Sequence, residues 1–161
     1  MSILLYSLYI YLFAQGLTTY LTDLQFAAAE QDDLWHHLTV QGHKDGTLAK
    51  EMDVKTVMDT WTLQMGFPVV TVRRNYQDKT ATVTQQRFLV GTSEEKKKED
   101  DEKYSWWIPL TFTSPGESFA KTYNELWMGE GEQTKEISGM PDGGTAVVFN
   151  VQQTGYYRYR E

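Results

Sequence analysis

The 161-residue chain contains no cysteine. Disulfide staples and thiolate metal sites are thereby excluded, whereas the compartment stays open, because secreted domains can lack disulfides. Positive charge is also scarce: 15 Lys and Arg face 22 Asp and Glu, for a net charge of −7, and the basic residues form no stripe. Affinity for a polyanion comes from neutralising its phosphates, so no nucleic-acid partner is expected. Histidine is limited to His36, His37 and His43. No H-E-x-x-H occurs, nor a G-x-S-x-G elbow, a P-loop or a dinucleotide fingerprint.

Long apolar runs are missing as well. The opening M-S-I-L-L-Y-S-L-Y-I-Y-L-F-A falls short of the roughly 20 residues that cross a bilayer. It has the length of a signal-peptide core, but no Lys or Arg precedes it and no Ala-x-Ala-like site follows. A signal sequence, an ordinary buried helix and a non-native start all fit it. No anchor is seen at the C-terminal end, and no feature fixes an oligomeric state.

What the chain does have is apolar and aromatic bulk. Hydrophobic residues make up 40% and aromatics 14%, including five Trp and ten Tyr, enough for a packed core. Its periodicity changes once. Val54, Val57, Met58, Trp61 and Met65 recur at helical steps, while P68-V-V-T-V72 is β-branched and extended. Upstream, Leu17, Tyr20, Leu21, Leu24 and Ala28 form one face of a first helix. A second helix, D33-L-W-H-H-L-T-V40, is expected to be capped by Asp32, and a third by Asp53. Gly46 belongs to a turn. Gly66 supplies the left-handed residue that ends a helix, and Pro68 drives Phe67 into extended geometry.

Beyond residue 67 every periodic segment has period two. P68–R74 and T80–V90 flank the turn N75-Y-Q-D-K79 as a hairpin. In Y104-S-W-W-I-P-L-T-F112, Tyr104, Trp106, Ile108, Leu110 and Phe112 share one face, and Pro109 indicates an edge or bulge. Further strands are expected at F119–Y123, T134–I137, T145–V151 and Y156–Y159. The run E94–K103 reads as a solvated loop. The fold class is therefore α+β: a helical segment over 1–66, followed by a small antiparallel β-sandwich over 67–161.

Chemistry is harder to find. His36 and His43, seven apart, could share a helix face, and Asp32 and Asp33 precede the histidine pair by four, yet zinc needs three or four converging ligands. A cap and a surface pair are the simpler reading. Trp106 and Trp107 could stack a sugar, although alternating aromatics in a sandwich strand usually build core. Spacing alone yields no catalytic residue, no metal ligand and no defined binding residue.

The blocks D33-L-W-x-x-L38, V54-K-x-V-M-D-T-W-T-L-Q-M-G-F-P-V-V-T-V72, Q86-R-F-L89, W106-W-I-P-L110 and N150-V-Q-Q-T-G-Y-Y-R158, in this order, resemble zinc-dependent aminopeptidases of the aminopeptidase N type, particularly insect midgut members. The resemblance implies that 1–66 closes a thermolysin-like catalytic domain and that 67–161 is the β-sandwich spacer, with Gly66-Phe67-Pro68 as the junction. It implies zinc as the cofactor of the full-length family, peptide substrates, and the extracellular face of the plasma membrane. The zinc helix, the substrate-amine motif and the transition-state tyrosine of that family have no counterpart in these residues. His36 and His37 inherit no role, and none of the family's zinc is expected on this chain. Catalytic and C-terminal helical domains are then missing partners, and a truncated gene model is the expectation for the ends. The alternative is a non-catalytic β-sandwich module that docks a protein, a glycan or a toxin.

Overall fold

A computed structural model describes residues 2–90, 103–120 and 126–160. The chain divides into two compact units, Met1–Asp59 and Thr60–Glu161.

The first unit is helical: α1 (Ser2–Asp23), α2 (Gln31–Lys44) and most of α3 (Val54–Thr62). Among the described residues, no helix is long and apolar enough to cross a membrane. Gly16 is where α1 and α2 come close, since a Cβ there would lie 2.9 Å from Leu38 Cδ2 and 3.4 Å from Leu38 Cα. The first helix ends earlier than its apolar spacing predicts. Leu24 lies in a turn and Ala28 is exposed. After Asp23 the chain turns, the Ala27 amide donating to Leu24 O at 3.1 Å, and the N-cap of α2, Glu30, is extended (φ −111°, ψ 168°). The Asp33 carboxylate accepts from the Glu30 amide at 2.8 Å. Glu30, not Asp32, is therefore the cap; Asp32 lies inside the first turn and takes Lys55 Nζ at 2.9 Å.

Asp53 does cap α3, accepting from the Lys55 amide at 3.0 Å and from Thr39 Oγ1 at 2.9 Å. Gly46 takes φ +67° just past the end of α2. The third helix stops at Thr62, short of Gly66. Gln64 explains this, because its Nε2 turns back to the Thr60 carbonyl at 3.0 Å and reaches Ser105 O at 2.8 Å. Met65 falls outside the helix and is 72% exposed. Gly66 still adopts the left-handed φ of +103°.

The second unit carries the sheets. β1 (Pro68–Asn75) and β2 (Thr80–Arg87) form the expected hairpin, Pro68 opposite Arg87 and Asn75 opposite Thr80. Its turn is closed by Asn75 Oδ1, which accepts from the Gln77 and Asp78 amides. The other strands are β3 (Ile108–Leu110), β4 (Phe112–Thr113), β5 (Leu126–Met128), β6 (Thr134–Ser138), β7 (Val148–Phe149) and β8 (Arg158–Arg160). One sheet has the order β6-β2-β1-β8, and β3-β5 and β4-β7 form two small ones. All pairs are antiparallel except β1 with β8. That pair is parallel because the loop before β8 lies at the beginning of β1, where Tyr156 meets Phe67 edge-on at 5.8 Å.

The inward face of the large sheet supplies Val70, Val72, Ala81, Val83 and Ile137 to a core with Trp106, Ile108, Leu110, Met128 and Phe149. The expected long strand 104–112 is broken up. Residues 104–107 are not paired in a sheet, and Thr111 separates β3 from β4. Thr111 carries its neighbours instead: its carbonyl accepts from the Asn150 amide and its hydroxyl from the Val151 amide, both at 2.9 Å. There the chain leaves one sheet for the other and the alternation slips, so Leu110 and Thr111 are both buried. Pro109 sits in two-stranded β3-β5, opposite Trp127, in keeping with an edge. Strand at Phe119 is replaced by turn, and 121–123 lie outside the described residues. So does the charged run, apart from Lys103.

Candidate functional site

The three histidines are the natural place to look for chemistry, and α2 does hold all of them. His37 Nδ1 lies 3.9 Å from Asp23 Oδ2, and its ring meets Tyr20 and His36 edge-on at 5.8 and 5.9 Å. His43 behaves differently. Its Nε2 is 2.8 Å from Met52 O and 3.2 Å from Ala49 O. A carbonyl only accepts, so Nε2 carries the proton and staples the loop between α2 and α3. Asp32 is engaged with Lys55, and Asp33 with the cap of its own helix. Among the described residues, no three His, Asp, Glu or Cys side chains converge on a point where a metal could sit. The hydrogen bonds of Asp59 and Asp32 hold the Lys55 ammonium above the usual lysine range.

The aromatic block of the second unit is a lock. Trp106 is wholly buried. Trp107 is half-buried, edge-on to Trp127 at 6.4 Å. The unpaired backbone of 104–107 is satisfied by side chains. Gln85, 1% exposed, takes the Trp106 amide on Oε1 at 2.8 Å and donates Nε2 to Trp106 O at 3.2 Å and to Glu132 O at 2.9 Å. Thr60 Oγ1 accepts from the Trp107 amide, and Trp61 Nε1 donates to Trp107 O at 2.9 Å. With Gln64 on Ser105 O, the segment T60-W-T-L-Q64 becomes a clamp on the unpaired backbone at Ser105 and Trp107. Sequence reasoning missed Thr60, Gln64 and Gln85. The one available signal was a polar residue, Gln85, at an inward position of an alternating strand.

Burial raises Glu132, but the Gly129 amide and the Lys135 ammonium outweigh it and leave the carboxyl below its ordinary value. Tyr157 is held well above the tyrosine range by burial, against a smaller opposing hydrogen bond with the Thr111 backbone. Its ring also explains the glycine of T154-G-Y-Y-R158: a Cβ on Gly155 would lie 2.2 Å from Tyr157 Cε1. Two concavities flank β8. One of about 370 Å³ is lined by Val69, Phe88, Leu89, Arg158 and Arg160 among others. One of about 700 Å³ lies beside Phe67, Asn150 and Tyr156.

No family model matches the chain. Curated proteins do. The thyrotropin-releasing hormone-degrading ectoenzyme of Rattus norvegicus is 32% identical over 149 residues, 91% of this chain and 14% of that protein. Aminopeptidase N of Mus musculus is 30% identical over 146 residues, again 91% and 14%. The membrane alanyl aminopeptidase of Heliothis virescens is 33% identical over 147 residues, 89% of this chain and 14% of its own length. The chain thus spans about one seventh of these relatives. It is a partial region of the aminopeptidase N-type family.

Proposed function

We propose that this segment is scaffold for a zinc metallo-aminopeptidase that removes N-terminal amino acids from peptides. In this reading residues 1–66 complete a catalytic domain, residues 67–161 form the β-sandwich spacer, and further parts of a longer polypeptide supply zinc and the catalytic groups. Zinc would there activate water for attack on the first peptide carbonyl. The names ectoenzyme and membrane alanyl aminopeptidase among the relatives support a place on the extracellular side of a membrane.

The observation that carries the scaffold role is the disposition of the imidazoles. His43 is committed to backbone carbonyls, and His36 and His37 turn to each other and to Tyr20. Among the described residues no group is therefore placed to hold a metal that would generate hydroxide. Incubation of the purified chain with alanyl p-nitroanilide and zinc is expected to release no nitroaniline above buffer. Turnover that survives repurification contradicts the reading.

A further inference from the structure

The chain is acidic overall, yet its sheet ends on a basic edge. Among the described residues β8 has β1 as its one hydrogen-bonded neighbour, and its other side is an edge. Along it Arg158 and Arg160 stand two residues apart, on the face of their register partners Val69 and Thr71. Both side chains are held in place. The Arg158 guanidinium lies over the Phe88 ring at 4.3 Å, and Arg160 Nε donates to Thr71 Oγ1 at 2.8 Å. Both remain exposed, and among the described residues no carboxylate pairs with either. They border the concavity of about 370 Å³, whose lining includes Val69, Phe88 and Leu89 but no Asp or Glu.

We propose that this edge docks an extended acidic polypeptide segment as an added strand. Successive same-face side chains of a strand are about 6.6–6.8 Å apart, so acidic residues at alternate positions of such a segment match the spacing of Arg158 and Arg160. The apolar residues between them face the other way. Two arginines on a short edge repel basic strands and leave apolar ones with unmatched charge, while an acidic strand gains at both positions. A long polyanion fits less well, because the net charge of −7 opposes it.

The probe is a fluorescein-labelled Val-Glu-Val-Glu-Val-Glu-Val peptide, titrated with the full 161-residue chain at low salt and read by anisotropy. Saturable binding that weakens as salt is added is expected, about tenfold weaker for the double variant Arg158→Ala/Arg160→Ala. The reversed variant Arg158→Glu/Arg160→Glu is expected to lose this peptide and gain its lysine counterpart, which also shows that the edge has kept its fold. Replacing the central valines by proline abolishes binding if the segment adds as a strand. Binding indifferent to both variants, equal binding of the proline peptide, or tighter binding of a sulfated heparin oligosaccharide through the same arginines would overturn the proposal.

Discussion

Gln85 shows how much one side chain can carry. It closes the hydrogen bonds of a buried backbone segment that has no strand partner, meeting Trp106 on both its amide and its carbonyl. A leucine there fills the volume and leaves those groups dry and unpaired. Each orphaned buried group costs about 1–3 kcal/mol, so Gln85→Leu is expected to lower stability by about 3 kcal/mol in urea unfolding followed by tryptophan fluorescence. Tyr157 gives a pH signature. Its folded pKa is raised above the ordinary 10.0, so the unfolded chain ionises first. Its contribution is whole below pH 10 and is lost as the pH climbs. Between pH 10 and 11 the wild type should lose roughly 1 kcal/mol more than Tyr157→Phe, measured as the difference in unfolding free energy between the two proteins.

Among the elements, the hairpin and the helix pair were the most legible, for opposite reasons. P68-V-V-T-V and T80-A-T-V alternate cleanly because one face is buried, and that face fixes the register. The strand at 104–112 reads just as regularly, but its aromatics bury themselves while its backbone is taken up by Gln85, Thr60, Trp61 and Gln64. Such side-chain substitutes for a ladder leave no period in the sequence. Met65 extends the helical spacing of α3 by one step that Gln64 prevents. The parallel placement of β8 was equally hidden, being set by where the preceding loop delivers the chain. In the helical unit, Gly16 appears as an ordinary glycine in F-A-Q-G-L, yet it sets the approach of α1 to α2. Gly16→Val would push a branched side chain into Leu38. It is expected to cost about 1–3 kcal/mol, seen as a lower urea midpoint of the helical signal at 222 nm.

For the molecule as a whole, the sequence pointed to α+β and to the aminopeptidase N-type family, and both hold in the structure and in the relatives. The family was legible because its blocks are structural parts: the clamp T60-W-T-L-Q64, the Gly66-Phe67-Pro68 lead into β1, and the close-packed T-G-Y-Y-R. Where each imidazole would be spent was not legible, since His43 is tied to carbonyls nine and six residues away. The scaffold role is tested most directly by metal stoichiometry. The purified chain is loaded with zinc, passed through a desalting column and analysed by mass spectrometry of the metal beside a triple variant lacking His36, His37 and His43. The account predicts far less than one zinc per chain in both proteins; one tightly held zinc that disappears with the histidines would contradict it.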